Sequence, residues 1–175
     1  MDIERKGLLS FSGKDVTIVG PDLKVGQKAA EFWAQNTNWE TIPALGSTKG
    51  KVRIIGSLLS LSTSVCDRET RRFNEEAINL GEDVRVLILS MDLPFTQKDW
   101  CGSAGIDKVI TLSDHLEADF GKKYGLLIKE FRFLRRAIFV IDRNDQLVYV
   151  DYMAELGNEP NYPEVIQAAK KALSN

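Results

Sequence analysis

The chain has 175 residues, of which 43% are hydrophobic and 27% charged, and a formal net charge of −2. That length accommodates one domain with a full core, and the weak negative charge excludes a nucleic-acid surface built on basic excess. No apolar run reaches the length of a membrane span, and the start Met1-Asp2-Ile3-Glu4-Arg5-Lys6 lacks the basic, apolar and small-residue regions of a secretory signal.

The expectation is therefore a single domain over residues 1–175, located in the cytoplasm. Structural disulfides are rare there, so a cysteine pair reads as catalytic or redox-sensing. The chain has two cysteines, Cys66 and Cys101, too few for a disulfide scaffold.

Taken in chain order, Gly7 to Ile18 reads as a hairpin. Leu9 and Phe11 alternate with serines, Gly13-Lys14 marks the turn, and Val16 and Ile18 alternate on the return. This N-terminal hairpin, residues 1–20, extends or covers one edge of the domain. The stretch from Pro21 to Pro43 is mixed, with a short apolar run at Phe32-Trp33. After a turn at Thr48-Lys49-Gly50-Lys51, Val52 to Leu58 reads as a buried central strand.

A helix follows. Cys66, Phe73, Ala77 and Leu80 recur at helical spacing and share one face. Ser62, Thr63 and Ser64 are candidate caps, with Ser64 and Asp67 spaced as a capping box, and Gly81 is the stop. Asp67, Arg68, Arg71, Arg72, Glu75 and Glu76 occupy the opposite face. Val84 to Ser90 is a second apolar strand. Leu93 to Cys101 reads as a loop leading into a short helix, and Val109 to Leu112 as a short strand. Ser113 or Asp114 then caps a helix running to Tyr124 and stopped by Gly125. Ala137–Ile141 and Leu147–Tyr152 flank the turn Asp142-Arg143-Asn144-Asp145-Gln146 and read as an antiparallel hairpin. Pro163 opens a last helix over Glu164–Leu173. This is a βαβ unit followed by a ββα unit, an α/β fold of the thioredoxin-like sandwich type with an N-terminal β-hairpin extension.

That order puts Cys66 at the N-terminus of the first core helix. Unpaired N–H groups there favour negative charge on a neighbouring sulfur. Thr63, one turn earlier, offers a hydroxyl to the sulfur or to a peroxide oxygen. A guanidinium would complete such a site, and the best candidate is Arg136, at the head of the strand Ala137-Ile138-Phe139-Val140-Ile141. Arg132 and Arg135 lie beside it, and at least one of the three reads as solvated. A cysteine on an apolar helix face is also a common core filler, and Cys101 alone carries no preference between filler and reactive thiol. The spacing between the two cysteines excludes a C-x-x-C oxidoreductase motif and a compact zinc site. The expectation is no cofactor and no metal. His115, near Asp114 and Glu117, reads as a surface residue, and Trp33, Trp39 and Trp100 as packing residues.

Several stretches together resemble the bacterial thiol peroxidases, an atypical two-cysteine branch of the peroxiredoxins. They are Phe11-Ser12-Gly13-Lys14-Asp15-Val16-Thr17, Val25-Gly26, Thr63-x-x-Cys66, Phe73-Asn74, Ser90-x-Asp92-Leu93-Pro94-Phe95 with Cys101-Gly102, Val109-Ile110-Thr111-Leu112-Ser113, Tyr124-Gly125, Arg136-Ala137 and Val140-Ile141-Asp142. The resemblance covers nearly the whole chain, and its most specific element is the Asp-Leu-Pro-Phe run. It implies that Cys66 is the peroxidatic cysteine, which attacks hydrogen peroxide or an organic hydroperoxide. It implies further that Cys101 resolves the sulfenic acid as an intramolecular disulfide recycled by thioredoxin. Thr63 and Arg136 would bind and polarise the peroxide, and the molecule would be a homodimer.

The chain departs from the family pattern in places. Leu59 stands where the family carries a proline that shields the cysteine and shapes the peroxide pocket. Leucine restores a backbone N–H and frees φ. Ser62, Ser64, Asp99 and Ala29-Ala30 also depart. These positions favour an active but slowed peroxidase. The alternative is a peroxiredoxin-like redox sensor or binding protein with weak turnover.

Overall fold

The computed structural model describes every residue from Met1 to Asn175. Eleven strands, four α-helices and one short 3-10 turn at Gly46–Thr48 follow one another along the chain. The N-terminal hairpin is β1 (Glu4–Phe11) and β2 (Lys14–Val19), followed by β3 (Trp33–Gln35) and β4 (Thr41–Pro43). Then come β5 (Val52–Ser57), α1 (Ser64–Leu80), β6 (Val84–Ser90), α2 (Pro94–Ala104), β7 (Ile110–Ser113) and α3 (Asp119–Lys123). The chain ends with β8 (Leu127–Ile128), β9 (Phe133–Leu134), β10 (Ala137–Ile141), β11 (Leu147–Tyr152) and α4 (Tyr162–Leu173).

The main sheet has the order β11-β10-β5-β6-β7-β3-β4, and a smaller sheet has the order β1-β2-β8-β9. β5, β6 and β7 run parallel, while β10 is antiparallel to both β5 and β11. This is the thioredoxin-like sandwich, with the hairpin as its extension. The central strands are apolar without alternation because both faces are covered. Ile54, Ile138 and Val140 point into one layer with Phe73, Val165 and Ala169 of α1 and α4. Ile55, Phe139 and Ile141 point into the other, with Phe32, Phe120 and Tyr124. Arg53 is buried in β5 with all three nitrogens engaged: Nε to Thr48 Oγ1 at 3.0 Å, Nη1 to the Asp142 carbonyl at 2.9 Å, and Nη2 to the Leu45 carbonyl at 3.0 Å.

Four expectations change. The segment read as a loop before Cys101 is already helix from Pro94, because proline is well placed in a first helical turn and its lost N–H costs nothing there. The helix expected from Ser113 or Asp114 is reduced to α3. Ala118 takes the left-handed conformation at its start, and Asp114 reaches across to the Phe120 and Gly121 N–H groups at 3.1 and 2.8 Å. Asp114 caps that helix from outside it. His115 is half-buried, with Nε2 2.6 Å from Gln35 Oε1, rather than a free surface side chain. Trp33 and Trp39 are 51% and 39% exposed, so neither is a core packing residue.

Candidate active site

Strand β5 ends at Ser57, and the chain crosses residues 58–63 before α1 begins. Thr63 is the N-cap, not Ser64. Its Oγ1 accepts the Cys66 N–H at 3.4 Å and donates to the Ser60 carbonyl at 3.1 Å. The hydroxyl is thus occupied by the backbone rather than by the sulfur. Asp67 does not reach back to complete a capping box, because its carboxylate is held by Trp100 Nε1 at 3.1 Å and Arg71 Nε at 2.9 Å.

Cys66 lies in the first turn of α1 with no exposed surface. The guanidinium of Arg136, from the start of β10, donates from Nη2 to Cys66 Sγ at 3.1 Å. Its Nη1 pairs with Glu69 Oε2, and its Nε donates to the Leu156 carbonyl at 3.3 Å. Burial alone weakens the Arg136 charge, but Glu69 and Cys66 more than offset it and hold the guanidinium above its ordinary pKa. Both Arg135 and Arg136 are buried. Arg135 pairs with Asp22 at 2.8 Å and lies over the Tyr152 ring at 4.0 Å, and Arg132 is the solvated member of the three.

The loop ahead of Cys66 is tied down by the Asp-Leu-Pro-Phe run. Asp92 Oδ1 accepts from Ser60 Oγ at 2.7 Å, and Oδ2 accepts from the Leu61 N–H at 2.9 Å and from Ser90 Oγ at 2.7 Å. Leu59 is partly buried against the core layer that contains Cys66, and its own N–H donates to no protein acceptor.

Cys101 stands apart from this group. It lies on α2 with Sγ 3.6 Å from Thr111 Oγ1 of β7, and burial pushes its thiol pKa up despite that contact. Both thiols are free. Yet α2 docks directly on the first turns of α1. Trp100 is bonded to Asp67, Arg71 donates to the Ala104 carbonyl at 3.3 Å, and the Arg71 guanidinium lies 5.6 Å from the Trp100 ring centre. The structure therefore brings Cys66, Thr63 and Arg136 together and holds Cys101 on the adjoining helix. It also adds two residues that sequence reading missed, Glu69 and the clamp Asp92. The signal for Glu69 was its spacing, three residues after Cys66 and four before Phe73, on the apolar face.

A cysteine at a helix N-terminus under a buried arginine, in a thioredoxin-like sandwich, is the arrangement of a redox-active thiol protein. The Redoxin family pattern matches residues 24–166. The chain is 48% identical to a thiol peroxidase of Oceanobacillus iheyensis, over 93% of this chain and 98% of that one. It is 50% identical to a thiol peroxidase of Bacillus subtilis over 93% and 96%. Among solved structures, a peroxiredoxin-like protein from Aquifex aeolicus superimposes with a TM-score of 0.85 at 38% identity, covering 95% of this chain and 98% of that one. A thiol peroxidase from Chromobacterium violaceum shares the fold, with a TM-score of 0.81 at 16% identity over 95% of this chain and 97% of that one. The chain belongs to the Redoxin family and, within it, to the thiol peroxidases, a branch of the peroxiredoxins. No helix is long and apolar enough to cross a membrane.

Proposed function

We propose that this chain is a thiol-dependent peroxidase working as one domain over residues 1–175, with Cys66 as the peroxidatic cysteine. The observation that carries the reading is the 3.1 Å contact between Arg136 and the Cys66 sulfur at the start of α1. The Cys66 thiolate attacks one oxygen of hydrogen peroxide or an organic hydroperoxide. The S–O bond forms, the O–O bond breaks, and water or an alcohol leaves as Cys66 becomes a sulfenic acid. Arg136 stabilises the charge that develops on the departing oxygen. Thr63 orients the first turn and offers its hydroxyl to the peroxide once the loop opens. Opening is needed because Cys66 has no exposed surface.

Cys101 then attacks the sulfenic sulfur, a disulfide forms and water leaves. Thioredoxin reduces that disulfide by thiol–disulfide exchange. The cycle runs in the cytoplasm and needs no cofactor. The active form is a homodimer, a reading supported by an exposed aromatic pair at the start of α2. Trp39 and Phe95 meet edge-on with ring centres 4.7 Å apart, and they are 39% and 65% exposed.

Stopped-flow tryptophan fluorescence of the reduced protein against stoichiometric hydrogen peroxide tests the reading, with Cys66→Ser as the control. A fast change confined to the unmutated protein is expected. Oxidation no faster than that of a free thiol would move the assignment to a redox sensor with weak turnover, the reading that Leu59 favours.

A further inference from the structure

Arg136 serves two acidic groups at once. Its Nη2 holds the Cys66 sulfur at 3.1 Å and its Nη1 holds Glu69 Oε2, both on α1. Glu69 is fully buried, and its second oxygen, Oε1, is buried without a partner. That oxygen sits over Gly56 of β5, 3.5 Å from where a Cβ would stand, in ordinary contact with the strand. Ile88 of β6 and Ile138 of β10 close the same spot and carry no charge. The other titratable neighbours are Glu159 and Tyr162, from α4 and the segment leading into it. Glu159, itself 3.8 Å from Arg68, adds repulsion and no compensating charge.

A thiolate and a carboxylate on one buried guanidinium leave one negative charge uncompensated. Such a charge is far costlier in a dry site than a neutral carboxyl with an unpaired O–H. The direction agrees: burial raises the Glu69 pKa to about 7, although Arg136 pulls it down. The unpartnered Oε1, rather than the Oε2 held by Arg136, is the oxygen open to a proton.

We propose that Glu69 exchanges a proton in step with the redox state of Cys66, being a carboxylic acid while Cys66 is a thiolate and a carboxylate once Cys66 is a neutral sulfenic acid. This rests on the peroxidase reading of Cys66. The step balances as Cys66–S⁻ + ROOH + Glu69–COOH giving Cys66–SOH + ROH + Glu69–COO⁻. Sulfur is oxidised by two electrons and the peroxide bond is reduced. Two O–H groups are made; the peroxide brings one proton and Glu69 supplies the second. Glu69 lies behind Arg136 and touches no reacting atom; its proton reaches the departing oxygen through water admitted when the loop opens, and its effect on Cys66 runs through the shared guanidinium. With Cys66 neutral, Arg136 belongs to Glu69 alone and the carboxylate is compensated.

The test uses Cys101→Ser protein, so that one thiol reacts. Difference infrared spectra at neutral pH compare free Cys66 with Cys66 capped by methyl methanethiosulfonate, a small neutral stand-in for the oxidised sulfur. Loss of a carboxylic-acid C=O band on capping is expected, with no such loss in Glu69→Gln. The rate of capping against pH gives a second readout. Above neutral pH, Glu69→Gln should react about fivefold faster than the parent, because no carboxylate competes for Arg136. An unchanged carboxyl band, or superimposable rate profiles, overturns the proposal. Failure of the peroxidase reading looks different: slow oxidation by peroxide with the capping linkage intact.

Discussion

Trp100 of α2 is bonded through its indole nitrogen to Asp67 of α1, one residue after Cys66, and so ties the helix carrying Cys101 to the helix carrying Cys66. A disulfide needs Cα atoms within about 7 Å. Cys101 is engaged with Thr111 of β7. If Cys66 and Cys101 pair in the cycle proposed above, Cys101 must leave Thr111, and the Trp100–Asp67 bond resists that movement. Trp100→Phe should fold normally, lose most of the fluorescence change on oxidation and resolve faster. Hydrogen exchange should differ between reduced and oxidised protein in residues 58–68 and 94–105. Identical exchange there would argue against resolution within one chain.

The same movement bears on Cys101 as a nucleophile. Burial holds its pKa above the ordinary thiol value while α2 is intact. Unwinding exposes it and restores its ionisation, so resolution should be limited by opening rather than by chemistry. Sub-denaturing urea should accelerate disulfide formation while leaving the first oxidation step little changed, as read by two-phase stopped-flow traces. A second phase that urea leaves unaccelerated would show that α2 does not gate resolution.

Arg136 cannot be replaced by a shorter cation without breaking one of its two acidic contacts. The flat guanidinium reaches Cys66 and Glu69 from separate nitrogens, which an ammonium does not reproduce. Arg136→Lys should lower the second-order rate with peroxide by roughly 100-fold, the usual cost of removing one aligned donor from a reacting oxygen. A rate within a factor of a few of the parent would remove Arg136 from the mechanism.

Two buried acids set a pH dependence of stability. Burial raises Glu69 from 4.5, and Asp114 from 3.8, to about 7 in each case. A carboxyl whose folded pKa exceeds its unfolded value binds more protons when folded, so its contribution is full below the unfolded pKa and is lost as pH rises through the folded one. The protein should be more stable near pH 5 than near pH 8, with each acid contributing on the order of 3 kcal/mol at most. Urea midpoints at fixed ionic strength measure this. Glu69→Gln should flatten the slope, and a slope unchanged by that substitution would refute the Glu69 part.

Much of this arrangement was legible in the residues themselves. Continuous apolar runs such as Ile54-Ile55 and Ala137–Ile141 mark strands covered on both faces, and Cys66 shares a helical stripe with Phe73 and Leu80. Glu69 escaped because it sits among Asp67, Arg68, Glu75 and Glu76, where an acidic residue reads as solvated. Only its partner across the fold, Arg136, explains why it is buried. The early start of α2 escaped because its turns lack a clear apolar stripe, with only Pro94 and Gln97 buried. The role of Asp92 was hidden for another reason: a carboxylate that clamps a loop some thirty residues earlier leaves no local periodicity to read.

Leu59 offers the most direct test of how this chain departs from its family. The residue packs against the layer containing Cys66, and its N–H donates to no protein acceptor. Proline there would forfeit no hydrogen bond, while its ring would restrict φ and reduce the freedom of the unfolded chain. It would also trim the side chain pressed against the cysteine layer and stiffen the segment that Asp92 holds at Ser60 and Leu61. Leu59→Pro should therefore fold with stability within about 1 kcal/mol of the parent and oxidise faster with peroxide, as measured by stopped-flow fluorescence. A slower variant of unchanged stability would mean that leucine is the fitted residue in this pocket and that the other departures, Ser62 and Ser64, have adapted the loop around it.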